Sequence, residues 1–237
     1  MAEQETGTAR PSAAVAAGIR DAVFRGEYVP GQRLVEVELC DAFGASRSAV
    51  RGALQLLDNE GLVEVQRNRG ARVRRVSHEE AIEITEVRRM VEGLIAAKAA
   101  HRARPEQVAE LRQITAAMRR AVHQHDALGY SELNARLHAA VRQIAGHGTA
   151  AAIIERLRGQ VVRHQFRLAL LPSRPGRSLA QHEKIVEAIA AGDPAAAETA
   201  MHEHLDDVLR ALRGIDDTDG QHAIPAPPPR PAPAKQT

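Results

Sequence analysis

A chain of 237 residues with 44% hydrophobic but only 2% aromatic side chains must build its core from Ala, Leu, Val and Ile, which favours helices over sandwiches. That length suits two modest domains, and a net charge of +2 restricts any nucleic-acid affinity to local patches. A single cysteine, Cys40, excludes an internal disulfide, and with no run of 18 apolar residues and no signal-like start the chain is expected in the cytoplasm, away from membranes.

Residues 1–10 are polar. Ser12 to Gly26 reads as the first helix, with Val15, Ile19, Ala22 and Val23 at helical spacing. Pro30-Gly31 makes a turn, and Gln32-Arg33-Leu34 leads into a second helix, Glu36 to Phe43, whose apolar side carries Cys40. After Gly44 a third helix opens at Ser46, a suitable N-cap, and runs through Ala49, Val50, Ala53, Leu54 and Leu57 to a stop at Gly61. Leu62–Val65 reads as a strand, Arg67–Gly70 as a tight turn and Ala71–Arg74 as the returning strand. Helix, turn, helix and hairpin make a winged helix-turn-helix, whose third helix would enter a DNA major groove. Its start presents Arg47, Ser48 and Arg51, residue types that bond base edges or phosphates. Residues 62–77 hold Arg67, Arg69, Arg72, Arg74 and Arg75 against one acid, Glu64, which suits phosphate contact. Singly, each arginine is equally an ordinary solvated side chain; the ordered combination makes the case.

Ser77-His78-Glu79-Glu80 has the pattern of a capping box and sets a domain boundary. From there to Gly214 the chain reads as helix, with candidates at 78–103, 105–127, 129–146, 148–171, 178–191 and 194–213 and a longest break at 172–177. Pro105 and Pro194 sit where a first-turn proline is tolerated, Gly192 ends one helix and Asp193 caps the next. Six helices of this kind bury their apolar stripes as a bundle. The stripe at 87, 91, 94 and 95 belongs to the core or to a dimer surface. Residues 215–237, rich in proline, read as a disordered tail.

The second domain carries the candidate metal chemistry. Asn134 and His138 lie at i, i+4 on one helix face, and His182 and His204 flank one short turn, so antiparallel packing brings them together. Neutral imidazoles converging in a helical core are common metal ligands. The eight further histidines are read as surface or hydrogen-bonded groups. Three histidines around an open metal position would also serve a hydrolase. No acid adjoins them in this reading, however, and no activated serine or cysteine constellation appears. General chromosome binding conflicts with the low net charge.

The run Ile19-x-x-Ala22-Val23-x-x-Gly26, Pro30-Gly31-Gln32-Arg33-Leu34-x-Glu36, Ser46-Arg47-x-x-Val50-Arg51-x-Ala53-Leu54, Glu60-Gly61-Leu62-Val63 and Gly70 resembles the DNA-binding domain of GntR-family transcription regulators, over about Ala14 to Val76. The resemblance implies operator contacts by Arg47 and Arg51 and by the wing around Gly70; Arg33, Ser46, Ser48, Arg67 and Arg69 are further candidate DNA contacts. Ser48-Ala49 stands where that family usually has Thr-Pro, and Gly52 where it has Glu.

From Glu80 to Ala211 the chain resembles the FCD effector domain of the FadR subfamily, an all-helical bundle of six to seven helices that often holds a divalent metal such as zinc or nickel and binds small carboxylates. It implies metal ligation by Asn134, His138, His182 and His204, with Asn134 in place of the usual Asp, His147 in place of a usual Asn, and Arg88 facing the effector. The expectation is therefore a mainly α homodimeric regulator, most simply a repressor and not an enzyme. Residues 12–76 would bind a pseudo-palindromic double-stranded operator, and residues 78–214 would sense a small organic acid.

Overall fold

The computed structural model describes residues 10–24, 26–66, 70–169, 171 and 173–214. The chain forms two compact units that divide between Val76 and Ser77. In the first unit, α1 (Ser12–Phe24), α2 (Glu36–Phe43) and α3 (Arg47–Asn59) pack with a sheet of β1 (Arg33–Leu34), β2 (Val63–Gln66) and β3 (Gly70–Val73). Val15, Ile19, Leu34, Leu39, Val50 and Leu57 are almost fully buried at its centre. The turn into α3 works as its sequence suggests. Gly44 closes α2 in the left-handed region at φ 58°, and Ser46 caps α3 by accepting a bond from the Ala49 amide.

The far end of α3 is a Schellman closure. The Gly61 amide donates to the Asp58 carbonyl and the Leu62 amide to that of Leu57, with Gly61 at φ 70°. Gly52, unusual in a helix interior, lies against the start of α1; a Cβ there would fall 2.4 Å from the Ser12 hydroxyl oxygen.

β3 is the middle strand of the sheet, antiparallel to β1 on one edge and to β2 on the other. The hairpin registers Val63 opposite Val73 and Gln66 opposite Gly70. The strand β1 was not expected. It spans only two residues, Arg33 opposite Arg72 and Leu34 opposite Ala71, too short for an alternating pattern to be legible.

The second unit holds α4 (His78–Arg102), α5 (Pro105–His123), α6 (Ala127–Ala145), α7 (Gly148–Ala169), α8 (Arg174–Ala190) and α9 (Pro194–Arg213). α4 packs along α6, α7 and α9, and α5 lies against α6 and α8. Ser77 caps α4 by accepting from the Glu80 amide, Asp193 caps α9, and Pro105 and Pro194 occupy first turns, as the sequence suggests.

Two boundaries differ from expectation. α5 ends at His123, because His125 turns into the left-handed region and Asp126 caps α6 by accepting from the Gly129 amide. α8 begins at Arg174, four residues before the predicted start, because Pro175 falls in a first turn where its missing N–H costs nothing. The apolar stripe of α4 divides: Ile95 is core and Val91 partly buried, whereas Val87, Met90 and Leu94 are exposed. The Pro-rich stretch 215–237 lies outside the described residues. Among those described, no helix is long and apolar enough to cross a membrane.

Candidate DNA-reading helix and candidate metal centre

At the start of α3, Ser46, Arg47, Ser48 and Arg51 are all exposed, while Ala49 and Val50 face the core. The amphipathic period thus turns the polar residues outward together. The Ser46 and Ser48 hydroxyls lie 3.0 Å apart. Arg51 is not loose: its Nε donates to both carboxylate oxygens of Glu36, at 3.0 and 2.9 Å, from the first turn of α2. Arg33 is exposed on β1 and Gly70 opens β3 at φ 80°, where a Cβ would meet the Leu34 carbonyl at 2.8 Å. Arg67 and Arg69 fall outside the described residues. Arg72, exposed on β3, donates from Nη1 to the Gly31 carbonyl.

In the second unit the three predicted histidines converge. α6 supplies His138, α8 His182 and α9 His204, all buried, with ring centroids 4.4 to 5.5 Å apart. One ligand nitrogen from each lies within 4.8 Å of the others. The distal nitrogens are engaged from behind. His138 Nδ1 is 2.8 Å from Glu92 Oε2, His204 Nδ1 is 3.0 Å from Gln181 Oε1, and His182 Nδ1 is 3.4 Å from the Tyr130 hydroxyl. With Nδ1–H given to Glu92 and to Gln181, the Nε2 lone pairs of His138 and His204 are free for a cation. His138 Nε2 and His182 Nε2 stand 3.3 Å apart, a separation that requires a proton or a cation between them. The Tyr130 hydroxyl can donate to His182 or accept from it, so it serves either tautomer.

Burial lowers the tendency of all three imidazoles to protonate. For His182 and His204 the effect is large, and the neighbouring imidazoles add to it. Burial thus favours the neutral form of the trio, the form a metal needs.

Asn134, one turn before His138 on α6, has a buried Oδ1 with no hydrogen-bond partner among the described residues. A carbonyl oxygen left unpaired in a buried position is costly unless something outside the protein completes it. This orphan acceptor and three inward-facing neutral imidazoles fit a divalent metal.

Arg88 and Glu92 carry more than their local i, i+4 pairing suggested. Both are buried; Arg88 donates from Nε and Nη2 to Glu92 Oε1, at 2.9 and 2.7 Å, while Glu92 Oε2 holds His138. Burial pushes the Glu92 carboxyl up, but Arg88 and His138 outweigh it and hold the group well below the usual carboxylate range. Arg88 Nη1 is buried without a hydrogen-bond partner among the described residues. An acid does therefore adjoin the trio, contrary to the reading from sequence. It sits behind His138 and clamped by Arg88, so it orients the imidazole. Sequence reasoning missed Glu92, Tyr130 and Gln181 as supports, since each meets its histidine through packing of separate helices, with only the local Arg88–Glu92 spacing as a signal.

Comparison with known proteins places both halves. Residues 11–73 match the family described as bacterial regulatory proteins, gntR family, and residues 83–207 match the FCD domain. The HTH-type transcriptional repressor RspR of Escherichia coli is 30% identical over 186 residues, covering 78% of this chain and 82% of that one. The Uxu operon transcriptional regulator of the same organism is 29% identical over 236 residues, covering 90% and 91%. Among solved structures, E. coli McbR/YncC superposes with a TM-score of 0.76 at 20% identity, over 85% of this chain and 96% of that one. A putative transcriptional regulator GntR from Rhodococcus sp. RHA1 gives 0.70 at 25% identity, over 86% and 98%.

Proposed function

Because the chain belongs to the gntR family of bacterial regulatory proteins and carries an FCD domain, and so is a DNA-binding transcription regulator rather than an enzyme, we propose that a small carboxylate bound at the histidine centre controls its grip on an operator. The observation that carries this reading is the pairing of three neutral, inward-facing imidazoles with two buried, unpartnered groups, Asn134 Oδ1 and Arg88 Nη1. His138, His182, His204 and Asn134 would hold the ion, and Arg88 Nη1 would take one oxygen of the acid. A divalent ion such as zinc or nickel, bound there, supplies a positive charge that attracts a carboxylate. Four neutral ligands leave that charge at its full +2, where an Asp would leave +1. Metal and acid therefore raise each other's affinity by the same factor.

The protein acts in the cytoplasm as a homodimer, and the exposed Val87, Met90 and Leu94 on α4 supply an apolar face for self-association. Two reading heads on a two-fold axis suit a pseudo-palindromic site. The repressor named RspR among its relatives favours repression. Elemental analysis of the purified protein, with mass spectrometry of co-purified acids, tests the centre directly. Absence of any divalent ion with a carboxylate present would remove it.

Two substitutions test the halves separately. Arg51→Ala should cost about 1–3 kcal/mol on the specific site and flatten sequence preference, because a bidentate base contact is lost. Titrations on operator and random DNA check it; an unchanged affinity ratio would show that Arg51 reads no base. Asn134→Asp should tighten metal binding by about tenfold, since a carboxylate is a stronger ligand than an amide oxygen, and should weaken the coupling between metal and acid. Calorimetry with metal alone, then with acid added, reads both.

A further inference from the structure

Glu36 and Arg51 belong to different helices of the first unit, and both are fixed from below. Glu36 opens α2 between two buried residues, Leu34 and Leu39. Arg51 follows buried Val50 and stands one turn after Arg47 on α3. The contact between them uses one edge of the guanidinium. Arg51 Nε donates to both carboxylate oxygens, at 3.0 and 2.9 Å. Among the described residues, Nη1 and Nη2 donate to no protein group, and the arginine side chain is 69% exposed against 26% for Glu36. The near edge of the guanidinium is tied down and its far end is left to solvent.

An arginine at the start of a reading helix has two competing partners in DNA. Its forked N–H groups match guanine O6 and N7, and its charge is drawn to any phosphate. An unattended arginine therefore strengthens binding to every sequence. A carboxylate in hydrogen-bond contact changes that balance. Seen from a phosphate the pair is close to neutral, while the two Nη groups still offer the paired donors that guanine accepts. Holding Nε also removes rotamer freedom that the long side chain would otherwise lose on meeting a base.

We propose that Glu36 is a specificity-determining positioning residue for operator recognition: it leaves the Nη1 and Nη2 end of Arg51 to guanine and keeps the guanidinium off the phosphates. The inference rests on the reading of Arg51 as a base contact and extends it to a residue that acts through Arg51. An exposed pair of this kind contributes little to folding, so Glu36 variants should melt as the wild type does.

The test uses the full-length protein, a duplex that the wild type selects from a randomised pool, and a mixed-sequence duplex of equal length, titrated over a series of salt concentrations. Glu36→Gln, nearly isosteric but uncharged, should lower the ratio of selected to mixed-sequence affinity at least about fivefold, the low end of what one bidentate base contact gives. It should also steepen the salt dependence on the mixed-sequence duplex by about 0.9 per reading head, as one more arginine turns to phosphate. Glu36→Asp keeps the charge on a shorter stem and should keep the wild-type slope. In an Arg51→Ala background, Glu36→Gln should move neither quantity. If either the ratio or the slope stays at its wild-type value in Glu36→Gln, the proposal is overturned, and Glu36 is a plain tie between α2 and α3. An effect that persists without Arg51 overturns it too. Should Arg51→Ala itself leave the ratio unchanged, the base-reading role of Arg51 falls; if Arg51→Ala flattens the preference and Glu36→Gln does not, the role of Glu36 falls alone.

Discussion

Glu92→Ala should cost the second unit about 3–5 kcal/mol, because among the described residues this carboxylate is the hydrogen-bond partner of buried Arg88 and removing it strands a cation away from water. The same change should weaken metal binding about 10–100-fold, since His138 loses the group that fixes its tautomer and ring plane. Urea denaturation of the metal-free protein reads the first effect and metal titration the second. The double change Arg88→Met with Glu92→Met separates them. It removes the stranded charge and should recover most of the stability, while the metal affinity stays low because His138 is still unsupported. A single variant within 1 kcal/mol of wild type would mean that water reaches Arg88, and that the network does not bear on the fold.

His182→Ala should abolish the stabilisation that metal brings. A ligand at about a hundred times its dissociation constant stabilises the folded state by about 2.7 kcal/mol, worth roughly 5–10 °C in melting temperature for a unit of this size. His182 is the most buried of the trio, at 1% exposure, and stands close to both other imidazoles. Thermal melts with and without zinc should shift for wild type and coincide for the variant. His182→Gln, which fills more of the space, should also show no metal shift, and this keeps a cavity from being mistaken for a lost ligand. A wild-type shift that survives in both variants would remove His182 from the site.

The features legible in the sequence were those set by local spacing. Ser46 capping α3, Gly61 ending it and the hairpin around Gly70 each follow from the needs of one turn of backbone. The histidine trio was legible because Asn134 and His138 share a helix face and one short turn joins the helices of His182 and His204. What escaped was non-local or ambiguous. Glu92 has a sufficient local partner in Arg88, and nothing in the sequence shows that its second oxygen meets His138 from another helix. Pro175 and Gly176 read as a break, yet one turn of helix accommodates both, and Arg174 at its start makes a buried ion pair with Asp207 of α9. That contact, over 30 residues away in sequence, carries no periodic signal.

The two-residue strand β1 gives the wing a mechanical role. β3 is paired on both edges, so its described residues are held from two sides at the root of the wing. β1 is separated from α2 by Val35 alone, and the first residue of α2 is Glu36, the residue that grips Arg51. A displacement of β3 would thus be passed through β1 to Glu36, and from there to the Arg51 guanidinium.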